Sequence, residues 1–195
     1  MDIRNELLEP NCFYHIFNRG INGMRIFDSE ENYHFFLRKF DQYLAEVCEI
    51  YAYCLMPNHF HFLIKVKSDD VINNFLLKQN NLKTIKSGLH APTNIVSKQL
   101  GKFISSYSQA YNKVKKRHGP LLESPFKRIK VSTGQYLINL IRYIHLNPLE
   151  LNQKIDQYKF SSYRAILIEK NSYVDREKVL DVFDGEENFI FCHKS

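Results

Sequence analysis

Tryptophan is absent from this chain, although 12 tyrosines and 15 phenylalanines are present. Rings set beside Lys and Arg suit base stacking, but most rings of this kind fill a core. Also missing is any Cys-x-x-Cys pair, since Cys12, Cys48, Cys54 and Cys192 are scattered. That spacing argues against a zinc ribbon or a dithiol redox centre and points to buried thiols of a cytoplasmic protein. No run approaches the roughly eighteen apolar residues of a membrane-spanning helix, so no membrane partner is expected. The first ten residues hold no basic segment leading into an apolar one, so no secretion signal is expected there. Acids are the minority charge, 21 against 27 Lys and Arg, and the resulting net charge of +6 favours a polyanionic partner.

What is present supports a packed globular chain: 195 residues, 44% hydrophobic and 25% charged. Residues 12–18 read as a first strand, and Arg19-Gly20-Ile21-Asn22-Gly23 reads as a turn. Asp28 or Ser29 is the expected cap of a helix whose apolar positions Tyr33, Phe36, Leu37, Phe40, Leu44 and Val47 recur at three and four. Two strands follow, 50–55 and 59–66, joined by Met56-Pro57-Asn58 as a hairpin turn. A short helix then reaches Lys78, residues 79–92 read as a mobile loop, and a long helix covers about 94–117. Its cationic end, with Lys115, Lys116 and Arg117, suits either a helix C-terminus or phosphate contact. Residues 125–132 read as a further strand. There Lys127 shares a face with Ile129 and Val131, and Arg128 shares the other with Lys130, which makes a plausible nucleic-acid track.

Two motifs carry the chemistry. In the strand from Asn58 onward, polar and apolar residues alternate with period two. His59, His61, Leu63 and Lys65 then share one face, and Phe60, Phe62, Ile64 and Val66 the other. Imidazoles at i and i+2 point the same way, so their nitrogens can converge on one divalent cation. Alone, such a pair is more often a solvated strand face that happens to carry two histidines. The second motif lies on a helix capped by Ser132 or Thr133 and running to about Leu146, with Leu137, Leu140, Ile141 and Ile144 as its apolar stripe. Tyr136, Tyr143 and Asn147 fall near one line beside that stripe, and Pro148 is expected to turn Asn147 out of helical geometry. Tyr136 and Tyr143 compete for any role, about 10 Å apart along the helix.

Leu55-Met56-Pro57-Asn58-His59-Phe60-His61-Phe62-Leu63-Ile64 resembles the His-hydrophobe-His motif of single-tyrosine HUH transposases. Arg142-Tyr143-Ile144-His145-Leu146-Asn147-Pro148 resembles the tyrosine motif of one branch, the REP-associated tyrosine transposases, and Phe160-Ser161-Ser162-Tyr163-Arg164 resembles that branch's downstream signature. The likeness covers roughly residues 10–165, in order. It implies an α+β, ferredoxin-like sandwich with helices packed on a central antiparallel sheet. Residues 1–165 would form the catalytic domain, and 166–195 a C-terminal helical extension of it. It also implies a metal-dependent single-stranded DNA endonuclease and strand transferase acting on hairpin DNA. His59 and His61 would hold a divalent ion, Mg or Mn, and Tyr143 would form a 5′-phosphotyrosine. Asn147 stands where the family places a third ligand, with His145 as the adjacent alternative. Lys115, Lys116, Arg117, Lys127, Arg128 and Lys130 are the expected DNA contacts. The resemblance leaves monomer or homodimer open. The rival readings are a non-cleaving module that grips structured single strands, and a metal phosphoesterase that uses water in place of Tyr143.

Overall fold

The computed structural model describes residues 6–80, 92–168 and 172–194. Four strands, β1 (Phe13–Arg19), β2 (Cys48–Met56), β3 (His59–Val66) and β4 (Lys127–Val131), form one sheet. Their order is β2-β3-β1-β4, and every neighbouring pair is antiparallel. β1 and β2 therefore run parallel with β3 between them, linked through helix α1 (Glu30–Leu44). This is the split βαβ unit of a ferredoxin-like sandwich, as the family resemblance implies.

Period-two alternation decides which side of the sheet each helix covers. Phe60, Phe62, Ile64 and Val66 are fully buried beneath α1 and α3 (Pro92–Val114). Phe40 stacks on Phe62 at 4.3 Å, Phe36 meets Phe60 at 5.0 Å, and Phe103 of α3 touches both α1 rings. Each such pair adds about 0.5–1.5 kcal/mol beyond its buried area. The opposite face takes α4 (Gly134–Leu146), which buries Leu137, Leu140, Ile141 and Ile144. The Thr133 hydroxyl oxygen caps α4 by accepting the Tyr136 N–H at 3.1 Å. Helix α2 (Asp69–Asn80) precedes α3. Beyond α4, α5 (Ser162–Leu167) and α6 (Arg176–Val182) pack on β2, and α7 (Glu186–Lys194) packs on α4. No helix among the described residues is long and apolar enough to cross a membrane. All four cysteines are free, Cys48 and Cys54 buried, Cys12 and Cys192 half-buried.

Three details depart from the periodicity. Helix α1 stops at Leu44, before Val47, and β2 begins at Cys48. Val47 already belongs to the sheet side, because its carbonyl accepts the Lys67 N–H at 3.0 Å. Ser29 occupies the N-cap position of α1 without a side-chain cap bond, while the Asp28 carboxylate turns away to accept the Tyr111 hydroxyl at 2.7 Å. Asn147 keeps helical angles, φ −50° and ψ −37°, despite Pro148. The chain runs on into a 3-10 turn, Asn147–Leu151, whose first turn needs no N–H from proline. The loop expected over 79–92 lies, apart from its ends in α2 and α3, outside the described residues.

The turn between β1 and α1 clasps the β2–β3 hairpin. Gly20 N–H donates to Asn58 O at 2.7 Å, and Pro57 O accepts from Ile26 and Phe27. A Cβ on Gly20 would lie 2.1 Å from the Met24 carbonyl oxygen, so any side chain there must move backbone. Gly20→Ala is expected to destabilise the protein by about 1–3 kcal/mol. Urea unfolding checks this, and an unchanged midpoint would contradict the close approach.

Candidate active site

The pairing of β1 with β3 sets Phe17 opposite His61 and Arg19 opposite His59. His15, two residues before Phe17, joins them on the same face. A cavity of about 340 Å³ opens there, between Phe17, Arg19 and Lys127 on one side and Asn58, His59 and His61 on the other. Lys127 reaches it because the β4 register places that residue opposite Phe17, and its ammonium lies 5.8 Å from the Phe17 ring.

Hydrogen bonds fix how the donor atoms face. The Nδ1 of His59 bonds Asn58 Oδ1 at 2.7 Å, and the Asn58 Nδ2 donates to Gly23 O. An amide oxygen only accepts, so His59 carries its proton on Nδ1 and keeps a lone pair on Nε2. That Nε2 lies 3.5 Å from Asn147 Oδ1. The Asn147 amide is equally constrained, because its Nδ2 donates to Tyr143 O at 2.8 Å and Ile144 O at 3.3 Å. Two lone pairs are thus aimed at each other across 3.5 Å. His61 is bound through Nδ1 to His15 Nε2 at 2.9 Å, leaving Nε2 as its other ring nitrogen.

All three imidazoles are neutral at pH 7. Burial pushes His61 down to about 2, with His15 and His59 beside it adding to the effect. Burial alone takes His15 to about 4. His59 is lowered chiefly by burial, against a smaller opposing pull from Asn147.

Tyr143 lies over this group. Its ring centroid is 5.5 Å from that of His61 and 6.2 Å from that of His15, edge-on to both, while 49% of the residue stays exposed. Burial first, and Glu150 second, hold the phenol above its ordinary pKa, so it is protonated at neutral pH.

The donor set suits a divalent cation. It offers neutral imidazole nitrogens and an amide oxygen with no proton between the last two. Among the described residues no three His, Cys, Asp or Glu side chains converge as a metal group. Asn147, whose Oδ1 faces His59 Nε2, is not one of those four residue types.

Among solved structures, the fold matches that of a REP-associated tyrosine transposase bound to a REP hairpin. The TM-score is 0.56 with 12% sequence identity, over 95% of this chain and 98% of that one. The two proteins share a fold. No protein-family model matches the chain, and no curated protein matches it.

The expected site residues separate. His59, His61, Tyr143 and Asn147 come together, and Lys127 joins them. His145, the alternative to Asn147, points the other way: it is fully buried, with Nε2 2.7 Å from Ser162 Oγ and Nδ1 2.9 Å from His193 Nε2. Arg128 and Lys130 fall on the far side of β4, where Arg128 donates to Ser97 Oγ and Lys130 pairs with Glu9. At the end of α3, Lys115 pairs with Asp28 at 2.9 Å and Arg117 donates to Asn112 Oδ1 and Pro120 O. Lys116 adopts a left-handed conformation there, with φ 49°. His15, Phe17, Arg19 and Asn58 were not foreseen at the site. Alternation along 12–18 puts His15 and Phe17 on one face of the first strand, but only the register reveals that this face is the histidine face.

His193 shows what buried imidazoles do to stability. Burial lowers it to about 4 in the folded chain, against 6.5 in an unfolded one. Below pH 6.5 the unfolded chain takes a proton that the folded chain refuses until near pH 4, so stability is full above about 6.5 and falls as the pH drops. By pH 5 the loss from His193 alone is on the order of 2 kcal/mol, and His15 and His61 add the same sign. Denaturant midpoints measured from pH 7.5 to 5 are expected to fall, and a flat profile would contradict the buried neutral assignment.

Proposed function

We propose that this chain is a metal-dependent single-stranded DNA endonuclease and strand transferase of the REP-associated tyrosine transposase type, acting on hairpin DNA. The observation that carries this reading is the Tyr143 ring seated 5.5 Å from the ring of His61, which with His59 lines the cavity. The fold neighbour, which is bound to a REP hairpin, supports the same choice of partner.

His59 through Nε2, Asn147 through Oδ1 and His61 through Nε2 would hold the ion, with Mg or Mn as the candidates. When bound, that ion supplies Lewis-acid neutralisation of a phosphodiester's non-bridging oxygens. The remaining work falls to the chain. Arg19 and Lys127 flank the cavity, where both also pair with Glu123 at 3.4 and 3.6 Å, and they are the cations a backbone phosphate would meet there, while the exposed edge of Tyr143 leaves room for an incoming strand. The phenol oxygen forms a bond to phosphorus as the bond to the 3′ oxygen breaks. The phenolic proton is lost, the leaving 3′ oxygen takes one up, and a 5′-phosphotyrosine results. That bond conserves the phosphodiester's energy, so a second 3′-OH can displace the tyrosine and be joined without ATP.

Incubation with hairpin oligonucleotides carrying single-stranded flanks, in Mg²⁺ or Mn²⁺, is expected to give a covalent protein–DNA adduct on a denaturing gel. Tyr143→Phe abolishes the adduct and Tyr136→Phe leaves it. Tight binding with no cleavage under either cation would favour the non-cleaving module, and cleavage without an adduct would favour water as nucleophile. In the same system, Lys127→Ala is expected to weaken single-strand binding and reduce the slope of log affinity against log salt by about 0.7. An unchanged slope would remove Lys127 from the DNA path.

A further inference from the structure

The two site histidines are held by different kinds of partner. His59 gives its Nδ1 proton to an amide oxygen, Asn58 Oδ1, which can only accept. His61 instead meets a third imidazole, His15, whose Nε2 lies 2.9 Å from His61 Nδ1. One of these two nitrogens must donate. If His15 donates, His61 Nδ1 holds the lone pair and its proton sits on Nε2, the nitrogen the cavity would use. If His15 accepts, His61 carries its proton on Nδ1 and Nε2 is left with a lone pair. An imidazole free in water prefers the proton on Nε2, the wrong form for a ligand that binds through that atom. The partner at Nδ1 must therefore override the ring's own preference.

We infer that His15 is a positioning residue for His61. It accepts the Nδ1 proton through its Nε2, carrying its own proton on Nδ1, and so presents His61 Nε2 to the cavity as a lone pair, as Asn58 does for His59. The inference rests on the proposed metal-dependent function.

Three features hold the contact in place, and the ligand role proposed for His61 Nε2 sets its direction. His15 and His61 are each only 6% exposed, so water does not compete for the bond. Their rings stack at 5.1 Å, and Phe17 stacks on both, at 4.6 Å from His15 and 5.8 Å from His61, all within 26° of parallel. That stack restrains rotation of the His61 ring, and a half-turn about its χ2 would put Cδ2 in place of Nδ1 and lose the bond. Finally, His15 Nε2 is occupied by His61, so His15 is not itself the third ligand through that atom. It stands behind His61 on the neighbouring strand.

The direct test is the tautomer of His61, read from long-range ¹H–¹⁵N correlation spectra of histidine-labelled protein at neutral pH without added metal. His61→Gln assigns the signal. A proton on Nδ1 is expected; a proton on Nε2 in the wild-type protein overturns the inference, and this needs no His15 variant to fold. His15→Phe, which keeps a stacking ring but cannot accept, is expected to move His61 towards the Nε2-protonated form. It should weaken Mn²⁺ binding by about 10–100-fold, measured by calorimetry, whereas His15→Gln, which can accept through Oε1, should recover most of it. Adduct formation by His15→Phe should be slow at low Mn²⁺ and recover at saturating Mn²⁺, which a general packing defect would not do. Unchanged Mn²⁺ affinity in His15→Phe overturns the inference while leaving the nuclease reading intact. Wild-type protein that binds no Mn²⁺ at all overturns that reading, whatever the tautomer.

Discussion

Residue-by-residue pairing of Phe13–Arg19 against His59–Val66 fixes what faces what on this sheet. Because side chains alternate along a strand, a slip of one residue would turn His59 and His61 into the α1–α3 core and push Phe60 and Phe62 out into water. The aromatic packing of Phe36, Phe40 and Phe103 on Phe60 and Phe62 therefore does two things at once. It drives folding through burial of apolar area, and it holds the histidine face open on the other side. The same register brings Phe17, and with it Lys127 across the next pair, to the rim of the cavity.

The side of the sheet opposite that core buries several neutral imidazoles. His15, His61, His145 and His193 are each almost without solvent contact, and each has a partner for at least one ring nitrogen. Around His145 the roles can be read in sequence. His193 donates from Nδ1 to Phe189 O, so its Nε2 accepts from His145 Nδ1, and His145 Nε2 accepts the Ser162 hydroxyl. Ser162 Oγ in turn accepts the Tyr53 N–H of β2 at 2.9 Å. Helix α4, the strap of α7 and the start of α5 are thereby tied to the sheet, and the rotation of α4 that brings Tyr143 to His61 and Asn147 to His59 is set from its buried side.

Much of this was legible in the sequence, and what was not has physical reasons. The alternation from Asn58 onward gave strand β3 and its two faces, and the stripe at Leu137, Leu140, Ile141 and Ile144 gave α4 and its orientation. The faces of β4 were also readable, but not which of them looks towards the histidines. That depends on β4 pairing with β1, which places Lys127 at the cavity and sends Arg128 and Lys130 to the other side. His145 sits between two site residues in the chain yet points inward, because helical spacing turns it about 200° from Tyr143 and Asn147 is back over the same edge. The His15–His61 contact joins residues 46 apart through one hydrogen bond, a relation that no periodicity encodes.

Asn147 closes the end of α4 and faces His59 with one planar group. A carboxylate in its place would offer a cation a stronger, charged oxygen. Its second oxygen, however, would then stand where Nδ2 now donates, against the carbonyl oxygens of Tyr143 and Ile144. Two acceptors would be pressed together with no proton between them, at a helix terminus that already carries partial negative charge. The architecture of the helix end thus selects a neutral side chain, and any unwinding of the last turn of α4 withdraws the oxygen and displaces the phenol in a single motion.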